Sequence, residues 1–565
     1  MFRHPILLVG ALFFCISVAV GLGPGVRMVD LALQSGLTVA NTFGGRDTKT
    51  YILESTGNGA AIFDYDGDGA NDILVTNGTT LQGPANPPRT VQLYHNDGHG
   101  HFRDGATDAG FTVEGWAQGV CVGDYNNDGK PDLLITYYGH NRLYRNLGNG
   151  KFLDATAEAH LPVTGIRYGA SCTFTDYDRD GWLDLFVANY VELDLAKTPK
   201  PGEDPACNWK GLPVWCGPHG LKPAHNVLYH NNHDGTFTDV SDKAGILKPG
   251  GRFGLGVAAA DFDNDGWPDI YVACDQTPSL FYHNRHDGTF EERGVEAGVA
   301  FNVDGELQSG MGIAIGDYDG DGLLDIAKTN FSGDIPSLFK NQGGGFFEDM
   351  AQRAGLAANH LLGWGIAFVD LDDDGWKDLI LANGHVYPEV EHAPVGDRYL
   401  QKTLLYRNLG NGRFVDITDS AGPAMQVARP ARGLAVGDVD GDGRPEVVIV
   451  NMNERPSLLK NTGPRGNYLS VSLTGTTSNR SAIGARVTLE AAGHRQTDVV
   501  MSGGSYYSQN DLTLYFGLGT AKTVDRLEVR WPSGKVEHWT QVPANQRLRI
   551  TEGQRATTGA VPPSK

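Results

Sequence analysis

Short apolar runs recur along most of this chain, each broken by a run of aspartate and glycine; GVAAADF leads into one such run and DIYVACD leads out of it. Apolar runs this short, bounded by turn-forming residues, predict β-strands rather than helices. The breaks share one form, Asp-x-(Asp/Asn)-x-Asp-Gly-x-x-(Asp/Glu), in seven copies that begin at Asp64, Asp124, Asp176, Asp261, Asp317, Asp370 and Asp438. An acidic loop between two strands is a hairpin corner.

Each unit continues into a second shared phrase, such as LYHNDGHGHF, LYRNLGNGKF or FYHNRHDGTF, whose Asn and Gly residues between aromatic strands predict another hairpin turn. The loop starts are separated by 60, 52, 85, 56, 53 and 68 residues, a core of about 50 with insertions. Several short strands at that period are the signature of a propeller blade. The seventh unit stops after SLLKN (457–461), while VRMVDLALQSGL (26–37) supplies a closing phrase out of register. The expected fold is therefore all-β, a seven-bladed β-propeller over residues 26–462 closed by pairing of its two ends, which removes exposed sheet edges.

Five residues before each loop stand Gly59, Gly119, Ser171, Gly256, Gly312, Gly365 and Gly433. Near-constant glycine suits strands crowding toward a common axis. One residue earlier the units diverge, with Trp364 and Arg432 among the replacements, and Trp116, Tyr168 and Phe253 lie two positions further out. These five are the candidate ligand face at the axial mouth; core or inter-blade packing is the competing assignment for each. The Asn of the second phrase (Asn96, Asn146, Asn231, Asn284, Asn341, Asn408, Asn461) is a turn former or, on a lectin reading, a sugar contact.

Beyond Gly463-Pro464 the pattern changes to alternating stretches such as YLSVSLTG and RLEVRWPSG, predicting a small β-sandwich-like domain over 465–553 and a disordered tail over 554–565. At the other end an apolar run from Ile6 to Val20 follows Arg3 and His4, the grammar of a signal peptide over 1–22 or of an N-terminal anchor. No other span is long and apolar enough to cross a bilayer, so the rest is expected to be secreted, periplasmic or held at the cell surface.

Three or four carboxylates within nine residues repel one another unless a cation lies among them, and hard oxygen donors on a flexible loop suit calcium. The expected ligands are Asp64, Asp66, Asp68 and Asp72 in the first loop, and Asp124, Asn126, Asp128 and Asp132 in the second. The third and fourth offer Asp176, Asp178, Asp180 and Asp184, and Asp261, Asp263, Asp265 and Asp269. The fifth, sixth and seventh offer Asp317, Asp319, Asp321 and Asp325; Asp370, Asp372, Asp374 and Asp378; and Asp438, Asp440, Asp442 and Glu446. Position 12, where a helix-loop-helix calcium hand needs glutamate, holds Val75, Ile135, Val187, Val272, Lys328, Leu381 and Ile449, so that fold is excluded. At positions 1, 3, 5 and 9, four carboxylates in six loops and three in the second make 27 of the 67 acidic residues; seven Ca²⁺ would bring the net charge from -21 to about -7.

Cys207 and Cys216, in the long third-unit insertion, are the best disulfide pair in an oxidising compartment; a soft-metal site with His219 is the alternative. Cys121 and Cys172 allow either pairing or burial as thiols, and Cys274 is a packed small residue.

The acidic repeats resemble the FG-GAP or VCBS repeats of the integrin type, and SNRSAIGARVTL, SGGSYYSQND, FGLG and VRWPSG resemble the ASPIC/UnbV domain. Together, in this order, they are similar to the cartilage acidic protein 1-like family. That resemblance implies a calcium-loaded seven-bladed propeller with a small β-domain, exported and non-catalytic. The function expected is binding or adhesion to an extracellular protein or glycan, with up to seven structural Ca²⁺. The alternatives are a calcium-dependent lectin and a polysaccharide-acting enzyme. For the last, His385 follows a strand, yet no nucleophile or paired acid stands beside it in sequence. The acidic balance and lack of a basic stripe argue against a nucleic-acid partner.

Overall fold

The computed structural model describes residues 25–83, 91–112, 115–357 and 360–559. The expected signal segment, 1–22, lies outside them. Strands dominate, with short helices such as Ala106–Ala109 and Ala351–Ala354 between them. Among the described residues no helix is long and apolar enough to cross a membrane.

The first unit is a four-stranded antiparallel meander of Ala60–Phe63, Asp72–Thr76, Val91–Asn96 and Phe102–Asp104. The acidic loop joins its first two strands and the Asn-Gly phrase its last two. Six more units repeat the plan, with inner strands Trp116–Gly123, Arg167–Thr175, Gly254–Ala260, Gly310–Gly316, Gly363–Val369 and Ala431–Gly437. Each inner strand touches the next, and the seventh touches the first, so the units close a ring. Met28–Asp30, from the start of the described chain, is the outermost strand of the seventh unit and pairs Met28 with Asn461 and Asp30 with Leu459. The ends of the ring are thereby held in one sheet, the closed all-β form of a propeller.

The inner glycines show why the ring is tight. A Cβ on Gly256 would lie 2.3 Å from the Met311 carbonyl oxygen, on Gly312 2.0 Å from that of Trp364, and on Gly433 2.7 Å from that of Asn58. In each case the obstacle is backbone of the next inner strand. The strand pairing slips at this point, for instance between Gly254 and Gly256 and between Gly310 and Ile313. A bulge there bends the strand toward the axis.

The C-terminal domain is two four-stranded sheets, ordered Leu514–Gly519, Asn467–Thr474, Gln546–Thr551, Thr557–Gly559 and His494–Val499, Arg486–Ala491, Thr523–Arg530, Val536–Pro543. Leu469, Val471, Val487, Leu489, Leu527, Val529 and Trp531 fill the space between them. The tail expected to be disordered from 554 is corrected in part: Thr557–Gly559 adds an antiparallel strand on the free edge of Gln546–Thr551. An unpaired edge offers backbone groups to whatever chain follows it.

One loop of this domain threads the ring. Ser505 exchanges backbone hydrogen bonds with Ile313 at 2.6 and 2.9 Å, Val120 donates to the Tyr507 carbonyl at 3.0 Å, and Gln509 donates to the Ala60 carbonyl at 2.8 Å. Ser505 Oγ accepts from Ile366 and Asn510 Oδ1 from Val436. Residues 505–510 therefore satisfy inner-strand groups of the first, second, fifth, sixth and seventh units, groups that a hollow channel would leave to water.

Candidate metal loops and the opposite face of the ring

All seven acidic loops fold alike. The glycine at position 6 (Gly69, Gly129, Gly181, Gly266, Gly322, Gly375, Gly443) has φ of +85° to +98°, which only glycine adopts freely. Its N–H donates to the first aspartate at 2.6 to 3.1 Å. The position-5 aspartate accepts from the N–H of position 7 at 2.8 to 3.0 Å. These bonds fix the carboxylates of positions 1 and 5, and triads such as Asp64, Asp66, Asp72 and Asp176, Asp178, Asp180 converge closely enough to share one cation.

Burial makes that crowding costly. Desolvation, with the neighbouring carboxylates adding to it, pushes Asp72 and Asp176 up to about 8 and Asp317 up to about 7. Asp132, Asp325, Asp370 and Asp378 are raised well above the usual carboxylate range for the same first reason. Buried oxygens of Asp132 (Oδ2), Asp178 (Oδ1), Asp261 (Oδ1), Asp269 (Oδ2), Asp372 (Oδ1) and Asp440 (Oδ1) accept no hydrogen bond. Hard, buried, unmatched oxygens in a converging set fit a metal ion.

The structure adds to six of the seven loops a member that sequence reasoning passed over. The residue before the shared Asn is basic in every unit: His95, Arg145, His230, His283, Lys340, Arg407 and Lys460. His95 lies 3.1 Å from Asp66, His230 3.2 Å from Asp184, His283 3.1 Å from Asp269 and Arg407 2.8 Å from Asp372. Lys340 reaches Asp319 and, at 2.9 Å, Asp321; Lys460 reaches Asp440 and, at 2.9 Å, Asp442. In the second unit, where Asn126 replaces aspartate, Arg145 pairs instead with Glu158 at 3.2 Å. The signal was present in the LYHN, LYRN and LFKN phrases, read there only as turns.

The C-terminal domain covers the loop face with basic residues. Arg547 pairs with Asp438, Arg465 reaches Asp373 at 3.0 Å, and the Arg480 N–H donates to Asn127 at 2.8 Å.

The opposite face carries the residues expected to contact a ligand. Trp116, Tyr168, Phe253 and Trp364 share one buried cluster with Tyr506 and Tyr507 of the threading loop. Arg432 is fully buried, 4.2 Å over the Trp364 ring, and donates to the carbonyls of Ser55, Ala431, Gly384 and His385. The five gather near the axis, but Tyr506 and Tyr507 and the surrounding insertions cover them; Trp364 alone of the five lines the cavity of about 450 Å³ beneath the third-unit insertion. That insertion is tied by a Cys207–Cys216 disulfide, and Cys121 is bonded to Cys172 across the second and third inner strands. Cys274 is a buried free thiol, a packed small residue as the sequence suggested. The shared Asn is buried in every unit, which removes it from any sugar site. His385 is also buried, and desolvation lowers its ring to about 4. The threading tyrosines and the cavity residues Asp275, Tyr190 and Trp215 escaped sequence reasoning; only the SGGSYYSQND phrase hinted at the first.

Residues 475–557 match the ASPIC and UnbV family, and residues 64–135, 124–187, 214–272, 261–327 and 395–485 match the FG-GAP-like repeat. The chain is similar to cartilage acidic protein 1 of Homo sapiens, 23% identical over 445 residues, covering 75% of this chain and 61% of that protein. It is also similar to integrin alpha-3 of Cricetulus griseus, 26% identical over 257 residues, 39% of this chain and 24% of that one. Among solved structures it aligns with the Bacillus licheniformis rhamnogalacturonan lyase PL11 at 14% identity and a TM-score of 0.36, covering 78% of this chain and 76% of that chain. A likeness that distant says nothing of chemistry. The repeats, their order and the terminal domain together make this chain a member of the cartilage acidic protein 1-like family of FG-GAP-repeat proteins with an ASPIC/UnbV domain.

Proposed function

We propose that this is an exported, calcium-loaded binding protein whose ions are structural and whose recognition surface is the face of the ring away from the acidic loops. The supporting observation is the repetition itself. Seven loops of one geometry, five of them with buried carboxylate oxygens that accept no hydrogen bond, are a clamp repeated around a ring rather than a unique reactive constellation. Asp or Asn at positions 1, 3 and 5 and Asp or Glu at position 9 would hold each ion, and bound Ca²⁺ would neutralise carboxylates that the fold forces together. The relatives it resembles are named as a cartilage acidic protein and an integrin alpha chain, and export by residues 1–22 would place the loops where calcium is abundant. The unrepeated insertions, 193–225 and 384–402, lie on the other face and supply what differs from unit to unit. The partner is an extracellular protein or glycan.

The test is a melting curve with and without excess EGTA, beside calorimetric titration of Ca²⁺ into the stripped protein. Ligand at a hundredfold over Kd stabilises by ~2.7 kcal/mol per site, so chelation is expected to lower Tm by many degrees. An unchanged curve would sink the calcium assignment.

A further inference from the structure

The third-unit insertion forms a lid over the mouth of the ring. Its Asn208–Trp209 and Leu212–Pro213 hairpin is closed by the Cys207–Cys216 bond. Trp209 Nε1 donates to Asp397 Oδ2 of the sixth-unit insertion at 2.7 Å, and Lys210 donates to the same carboxylate at 3.0 Å. Trp215 packs on Tyr387 at 4.8 Å between centroids. The lid is therefore fastened on both sides, by a covalent loop in the third unit and by a charged hydrogen bond to the sixth.

Beneath it lies the cavity of about 450 Å³, within the ~300–1,000 Å³ of ordinary small-molecule sites. Trp364, Tyr190, Tyr387, Trp209 and Trp215 give it aromatic walls, and Asp275 is its buried carboxylate. Asp275 is 8% exposed; its Oδ2 accepts from the Tyr190 hydroxyl at 2.5 Å, the Ser309 hydroxyl also lies beside the carboxylate, and its Oδ1 completes no hydrogen bond of ordinary geometry. Trp215 Nε1 is buried and donates to nothing. A buried carboxylate oxygen and a buried indole N–H left unmatched on two residues that line one cavity destabilise the fold, unless an occupant supplies both a donor and an acceptor.

Two classes of occupant suit aromatic walls with a carboxylate: an organic cation and a hydroxylated ring. The cation is disfavoured by charge. Arg432 stacks on Trp364 at 4.2 Å and Lys210 lies 5.4 Å from the Trp209 ring centroid, so two of the aromatic walls already carry a positive group. A neutral sugar offers what the cavity lacks: hydroxyls that donate to Asp275 and accept from Trp215, and a C–H face for the rings.

We propose that the lidded mouth of the ring is a carbohydrate-binding site for a neutral sugar residue, with Asp275 and Trp215 as its hydrogen-bonding pair. This rests on the binding reading above and names its ligand class.

The test is a neutral-glycan array probed with the calcium-loaded full chain, followed by titration of the best sugar into wild type, Asp275→Leu and Trp215→Phe. Asp275→Leu removes the buried acceptor and leaves the Tyr190 hydroxyl without its partner, so its Tm should fall by a few degrees while affinity for the sugar falls at least tenfold. Trp215→Phe keeps a ring and loses the N–H, and severalfold weakening is expected. A sugar that binds wild type and both variants equally overturns this site while leaving glycan binding by the protein intact. Absence of any array signal overturns the sugar assignment, and protection by tetramethylammonium instead would assign the cavity to a cation. Neither result touches the calcium melting test, which decides the underlying reading separately.

Discussion

The side-chain amide of Asn341 donates at 2.7 Å to the backbone carbonyl of Phe262, the second residue of the preceding unit's acidic loop. The same bond recurs around the ring: Asn146 to Tyr65, Asn231 to Tyr125, Asn284 to Tyr177, Asn408 to Tyr318, Asn461 to Leu371 and, closing the circle, Asn96 to Val439. In six units the Asn backbone N–H also donates to the position-9 aspartate of its own loop, as Asn341 does to Asp325 at 2.8 Å. Each acidic loop is thus tied to the next unit through one residue.

Asn341→Ala would leave the Phe262 and Leu324 carbonyls without the amide that serves both at 2.7 and 3.0 Å. Buried acceptors deprived of a partner cost about 1–3 kcal/mol. Denaturant midpoints of the calcium-loaded variant are expected to fall accordingly. Asn341→Asp should be no better, since it keeps the shape but replaces the donating NH₂ with oxygen.

Gly312→Ala tests the crowding at the axis. The new Cβ would meet the Trp364 carbonyl at 2.0 Å, and the obstacle is backbone, which cannot rotate away. Overpacking of this kind costs about 1–3 kcal/mol. Alanine at Gly235, whose Cβ direction is open, tests the contrasting case in which only the positive φ of +86° opposes the substitution. The expected order of stability is wild type, then Gly235→Ala, then Gly312→Ala.

How much of this could be read beforehand follows from what repeats. The seven loops, the inner glycines and the closing strand Met28–Asp30 recur or complete a recurrence, so internal comparison alone exposed them. Arg432 and Trp364 were singled out correctly as positions where the units disagree, yet their burial depended on Tyr506 and Tyr507, some seventy or more residues away in another domain. No periodicity announces which loop fills a channel. Asp275 was invisible for a related reason: one aspartate after a strand looks like any turn residue until its environment is known.

Tyr507→Ala is expected to loosen both domains at once. Its ring is fully buried, stacked on Tyr506 with centroids 4.0 Å apart, and its backbone carbonyl serves Val120. Truncating a buried aromatic to alanine costs ~3–5 kcal/mol. Because Tyr506 also packs edge-on to Trp364, hydrogen exchange should rise at inner-strand amides as well as in the loop. Loss confined to the C-terminal domain would mean that the loop is an ornament of the channel rather than part of its core.

Calcium should reverse the pH dependence of stability. An unfolded aspartate titrates near 3.9, whereas Asp72 and Asp176 in the fold are raised to about 8 and Asp317 to about 7. Between those limits the folded, metal-free chain holds more protons than the unfolded one, so its stability declines as pH rises. His230 and His283, raised by their bonds to Asp184 and Asp269, act in the same direction. In excess chelator, Tm at pH 5.5 should therefore exceed Tm at pH 8. With saturating Ca²⁺ the carboxylates are held ionised and protons compete with the metal, so the order inverts and pH 8 gives the higher Tm. Parallel pH slopes with and without calcium would mean that the ion does not bind at these carboxylates.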